Sequence, residues 1–195
     1  MSQNDLKDLY SDPIGTASVA AREIAAITGL PKHDVALVMG SGWIDACDAL
    51  GTPAHEFDAH DVAGFLRPSV VGHSGKIRSY ELEGNHGPLN ALVFLGRTHL
   101  YEGRGLEPVV HAVRTAVKAG CSIMILTNAC GAINTTFRVG QPVLIRDPIS
   151  LNATSPLIAP HFFDLPDLHT KRIREMVRKE DPLLTKGVYV PVMWP

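Results

Sequence analysis

Arg97-Thr98-His99-Leu100-Tyr101-Glu102 sets a guanidinium, an imidazole, a phenol and a carboxylate within six consecutive positions. The run follows directly on Leu89 to Leu95, an apolar stretch with strand character. Polar side chains that leave the end of a buried strand stand at the carboxyl edge of a sheet, where open α/β folds bind their ligands. The chemistry on offer suits an anion beside a sugar. Arg97 can grip a phosphate through two parallel N–H groups, His99 can add a donor, and Tyr101 can lay a ring edge and a hydroxyl against a ribose.

Two further turns offer anion donors. Gly40-Ser41-Gly42 closes the apolar run Val35 to Met39, and its backbone amides and Ser41 hydroxyl can approach an anion. Gly72-His73-Ser74-Gly75 lies in an irregular stretch where glycines permit close approach and His73 can close over a ligand. Competing motifs fail on spacing. A dinucleotide fingerprint needs Gly or Ala where Asp45 stands, and a P-loop is excluded by Val70 and Ile77 around Gly75-Lys76. The histidines of His55-Glu56-Phe57-Asp58-Ala59-His60-Asp61 are five apart rather than four, so this segment reads as a solvated acidic loop and not a zinc helix. No Gly-x-Ser-x-Gly elbow occurs, and Cys130 has no base beside it in sequence. The combined pattern points to phosphate held without a metal.

Several elements are expected to position these groups. Ile14 to Ile27 carries Ile14, Ala17, Ala20, Ile24 and Ile27 at helical spacing, stopped by Gly29 and Pro31. Val35 to Met39 and Ile123 to Leu126 read as strands buried on both faces. A helical stretch is expected from Trp43 to Leu50, then a long functional loop from Gly51 to Ser74. Ile77 to Leu82 and Leu89 to Leu95 form a hairpin about Gly84-Asn85-His86-Gly87. Leu106, Val109, Val110, Val113, Ala116 and Val117 define the inward stripe of a helix ending at Gly120. Pro142 to Ile149 reads as a strand, and Leu165 to Glu180 as an outer helix with Ile173, Met176 and Val177 turned inward. Strand, polar loop, helix, strand is the order of an α/β domain.

The chain has 195 residues, 45% of them apolar, which suits one domain with one core. A formal charge of −2 with scattered Lys and Arg supplies no basic field, so nucleic-acid and anionic-membrane partners are not expected. No stretch reaches the roughly 18 apolar residues of a membrane span, and Met1 to Asp5 lacks a basic leader, so a cytoplasmic protein is expected. Cys47, Cys121 and Cys130 are odd in number and far apart, and read as reduced and mostly buried.

Gly40-Ser41-Gly42-Trp43, Gly72-His73-Ser74-Gly75, Gly96 to Gly103 and Leu126-Thr127-Asn128-Ala129-Cys130-Gly131 stand in the order and spacing of a known family. The chain resembles the trimeric purine nucleoside phosphorylases, from about Ile14 to Tyr189, and Gly140 to Ile145 and Asn152 to Pro156 continue the likeness. The resemblance implies a single α/β domain over residues 1–195, with a mixed, twisted central sheet flanked by helices. It implies reversible phosphorolysis of purine ribonucleosides and deoxyribonucleosides to free purine and (deoxy)ribose 1-phosphate, with inorganic phosphate as co-substrate and neither cofactor nor metal. On the matched positions, Ser41, His73, Arg97, Thr98, His99 and the Ala129 amide bind phosphate. Arg97 and His99 are the catalytic pair among them. Tyr101 packs on the ribose, Glu102 and Asn128 support the loops, and Phe162 reaches the ribose site of a neighbouring subunit in a homotrimer.

The likeness stops after Tyr189. Val190 to Pro195 stands where the family carries the Glu that reads the purine, and later elements with a further phosphate Ser, a Met under the ribose and the Asn or Asp of the purine site do not follow. The domain thus reads as incomplete at its C-terminus by roughly a quarter. Two alternatives follow: a non-catalytic remnant that binds phosphate or partner subunits, and a methylthioadenosine phosphorylase of the same fold.

Overall fold

The computed structural model describes residues 3–67, 74–151, 154–157 and 164–192. His73 and Phe162 lie outside the described residues. The chain divides into two compact units, Met1–Cys130 and Gly131–Pro195.

The first unit opens with helices α1 (Gln3–Leu9) and α2 (Pro13–Thr28). The start and stop of α2 are written locally. Asp12 accepts the Gly15 N–H at 2.8 Å, Pro13 occupies the first turn, and Gly29, at φ 70°, returns its N–H to the Ala25 carbonyl. Strands β1 (Val35–Met39), β2 (His55–Asp58), β3 (Lys76–Gly84), β4 (Gly87–Leu95) and β5 (Ile123–Leu126) form one mixed sheet in the order β2-β3-β4-β1-β5. β3 and β4 are the expected hairpin, paired from Lys76↔Leu95 to Gly84↔Gly87, and β4, β1 and β5 run parallel. Helix α3 (Glu107–Lys118) connects β4 to β5 and packs beside α2.

Both faces of the centre of the sheet are covered. Ile24 of α2 and Ala116 of α3 pack with Val38, Ile77 and Phe94 on one face. Met39, Tyr80, Val93 and Leu95 meet Cys47, Trp43 and Ile44 on the other, where Ile44–Leu50 forms a 3-10 turn. This explains the uninterrupted apolar spelling of β1 and of β4 from Ala91 onward.

Some expected faces are shifted. α2 buries Ala17, Ala20, Ala21, Ile24 and Thr28, while Ile14 and Ile27 are exposed. α3 turns Pro108, His111, Thr115 and Ala116 inward, and Val117 is 63% exposed. Of the expected stripe Ala116 is buried and Leu106, Val109, Val110 and Val113 are half-buried, so the core face is rotated toward His111, whose buried Nε2 bonds the Ala63 carbonyl. The stretch 51–74 is not wholly loop, since β2 adds to β3 through Glu56, which takes Lys76 Nζ and Arg78 Nε each at 2.6 Å.

In the second unit β6 (Val143–Pro148) and β7 (Thr185–Tyr189) pair in parallel, and α4 (Lys171–Glu180) lies against β6. Pro142 to Ile149 thus holds as a strand. The helix starts at Lys171 rather than Leu165, since Asp167 turns the chain by accepting the Lys171 N–H at 2.8 Å. Ile173 is half-buried, whereas Met176 and Val177 are exposed, which corrects the inward face read from sequence.

Candidate active site

Strands β4, β1 and β5 end side by side, with Met39 paired to Leu95 and Val38 to Leu126. Three segments therefore leave one sheet edge together: Gly40-Ser41-Gly42, Gly96 to Gly103, and Thr127-Asn128-Ala129. Thr127 stitches them. Its N–H and its hydroxyl both donate to the Val38 carbonyl at 3.0 Å, and its Oγ1 accepts the Gly40 N–H at 2.9 Å. Arg97 Nη1 donates to the Thr127 carbonyl at 3.3 Å, so the guanidinium is drawn across the end of β1.

Gly40 is required for that approach. A Cβ at this position would fall on the Arg97 guanidinium and the Thr127 carbonyl, and 3.0 Å from Asn128 Cα. Beside it Ser41 is exposed in its turn, and Asn128 Nδ2 donates to the Ala129 carbonyl at 3.3 Å, which fixes the peptide at the mouth of β5.

The run after β4 folds on itself. Leu100–Glu102 is a 3-10 turn closed by the Glu102 N–H, which donates to the His99 carbonyl at 3.1 Å, while the His99 N–H donates to Glu102 Oε1 at 2.6 Å. The Tyr101 ring stacks on His99 with centroids 4.8 Å apart and planes 12° off parallel, and is itself exposed. Thr98 is half-buried between Arg97 and His99. Arg97, Thr98, His99, Tyr101, Glu102, Ser41, Asn128 and Ala129 thus lie on loops leaving adjoining strand ends.

Sequence reasoning did not assign the stitching role of Thr127 or the part taken by Arg104, whose Nε stands 3.6 Å from Glu102 Oε2. A threonine directly after a buried strand was the available signal for the first. The thiols follow the expectation in part: Cys47 is buried and Cys121 half-buried, but Cys130 is exposed because β5 ends in an open loop. Burial pushes the Cys121 thiol up to about 11, so it is no nucleophile. Asp58, His60 and Asp61 bring their ligand atoms within 4.8 Å of one another, with both carboxylates exposed, Asp58 at the end of β2 and Asp61 at the end of the turn that follows.

The family model of the phosphorylase superfamily matches residues 34–192. Over 185 residues the chain is 46% identical to a purine nucleoside phosphorylase of Cellulomonas sp, covering 94% of this chain and 66% of that one. Over 190 residues it is 44% identical to the purine nucleoside phosphorylase of Mycobacterium bovis, covering 97% and 69%. Its fold superposes on a purine nucleoside phosphorylase in complex with ribose-1-phosphate at a TM-score of 0.79 and 25% identity, over 93% of this chain and 71% of that one. The chain belongs to the phosphorylase superfamily, within its purine nucleoside phosphorylases. It spans about two thirds of the length of the curated relatives it matches.

Proposed function

We propose that this chain performs the reversible phosphorolysis of purine ribonucleosides and deoxyribonucleosides, with inorganic phosphate as co-substrate and no metal or other cofactor. The observation that carries the reading is the convergence of three strand ends, which brings Arg97 Nη1 to 3.3 Å from the Thr127 carbonyl beside the Gly40 turn. The names of its relatives support the same reaction, as does the ribose-1-phosphate held by the superposed structure.

Arg97 and His99 hold the phosphate oxygens, with Ser41, Thr98, the Ala129 amide and His73 as further donors. Tyr101 supports the ribose, while Glu102 and Asn128 keep the loops in place. Phosphate attacks C1′ from the face opposite the purine as the bond from C1′ to nitrogen breaks. Free base and ribose 1-phosphate result. Catalysis comes from in-line placement and from anionic oxygens set against the positive charge that develops on the sugar. The chain acts in the cytoplasm as a homotrimer in which Phe162 completes a neighbour's ribose site. The family match runs across both compact units, which supports reading 1–195 as one phosphorylase domain.

The test is ribose 1-phosphate release from inosine and guanosine by the purified chain, with and without phosphate. Product is expected only with phosphate, and Arg97→Ala lowers the rate by about a hundredfold or more. Release of free ribose, or no product from a folded chain, contradicts the proposal.

A further inference from the structure

Arg104 stands outside the 97–102 run, yet its guanidinium reaches both that run and Arg67. Nη1 donates to the Arg67 carbonyl at 3.0 Å, and Nε lies 3.6 Å from Glu102 Oε2. The other Glu102 oxygen accepts the His99 N–H at 2.6 Å. Glu102 is thus tied to His99 on one side and to Arg104 on the other.

The electrostatics of this arrangement demand a countercharge. The Glu102 side chain is only 7% exposed, against 28% for Arg104. A carboxylate withdrawn from water and bonded to the backbone of His99 sets a negative charge beside the place where a phosphate dianion must bind. Like charges repel most where water is excluded. A guanidinium against the outer carboxylate oxygen cancels that field, and its fork leaves a second N–H for the Arg67 carbonyl.

We propose that Arg104 is a positioning residue for phosphate: it neutralises Glu102 behind His99 and ties the 96–103 run to the Arg67 carbonyl. The proposal rests on the phosphate site described under the proposed function, and concerns a residue that touches neither phosphate nor nucleoside.

Calorimetric titration of inorganic phosphate into the full chain, at fixed ionic strength, tests it with Arg104→Met, Glu102→Gln and the double variant. Arg104→Met weakens phosphate about tenfold, and adding Glu102→Gln restores affinity to within about twofold of wild type, because no charge then remains to be cancelled. Lost packing alone leaves the double variant as weak as Arg104→Met, and that result overturns the proposal. Should Arg104→Met unfold, Arg104→Lys keeps the charge. Affinity within about threefold of wild type then supports the electrostatic role, and a loss of about tenfold overturns it. Wild-type chain that binds no phosphate overturns the phosphate site itself; wild type and Arg104→Met binding equally well overturn the role of Arg104 alone.

Discussion

Gly40 lacks a side chain at the point where the Arg97 guanidinium and the Thr127 carbonyl close over the end of β1. Replacing it by Ala forces one of these groups away. The carbonyl belongs to backbone bonded to Val38, so the flexible Arg97 side chain gives way first. Gly40→Ala is therefore expected to weaken phosphate binding by about tenfold or more, with a stability cost of about 1–3 kcal/mol, read by calorimetry and thermal unfolding. Unchanged affinity would mean that Arg97 is not held in place by this close approach. The types of Arg97, His99 and Tyr101 were legible in the sequence because they follow a strand end in one short run. The role of Thr127 was not, since the Gly40 amide it accepts is 87 residues away in the chain. Arg104 was hidden for a related reason, as its Arg67 partner is set by folding and not by spacing.

At the scale of elements, α3 shows how an apolar stripe can misdirect. Val109, Val113 and Val117 look like the core face, but His111 and Thr115 are the buried pair. His111 Nε2 donates to the Ala63 carbonyl at 2.9 Å, the Tyr10 hydroxyl donates to the Gly64 carbonyl, and Glu23 accepts the Ala63 N–H at 2.7 Å. Phe65 stands edge-on to the His111 ring at 4.7 Å and stacks with Phe94 at 5.7 Å. Tyr10 just after α1, Glu23 of α2 and His111 of α3 thus grip residues 63–65 together, an arrangement that no local pattern encodes. β2 escaped notice because Phe57 is its only large apolar residue, and ion pairs with β3 hold it.

The same grip predicts a pH dependence. Burial lowers the His111 pKa from its ordinary 6.5, with Arg114 adding to the effect against the Ala63 bond, and burial likewise lowers that of His33, whose Nε2 lies 2.8 Å from Ser79 Oγ. With the folded value depressed, the unfolded chain binds the proton more readily. Stability is full above the ordinary value of 6.5 and is lost as pH falls through it toward the folded value. Urea midpoints should fall between about pH 7.5 and about pH 5. His111→Gln, which keeps a donor for Ala63 without titrating there, should remove about half of that fall. An undiminished slope would place the acid sensitivity elsewhere.

Over the whole molecule, the first unit holds the core and the three strand ends, while none of the described residues of Gly131–Pro195 is buried. Ile133, Val139 and Leu183 are exposed there, which is why apolar spacing misled the reading of α4: periodicity reports a preferred face but not whether a neighbour covers it. The α/β order and the hairpin were legible because each is spelled within a few tens of residues. The parallel placement of β1 between β4 and β5 follows only from assembly. That placement carries the central claim, that separate segments of the chain form one phosphate site. The most direct measurement is a phosphate titration of the isotope-labelled chain followed by amide resonances. The account predicts that Gly40, Ser41, Arg97, His99 and Ala129 shift together along one saturable curve that Arg97→Ala abolishes. Shifts that do not saturate, or that follow different curves at the three strand ends, would contradict it.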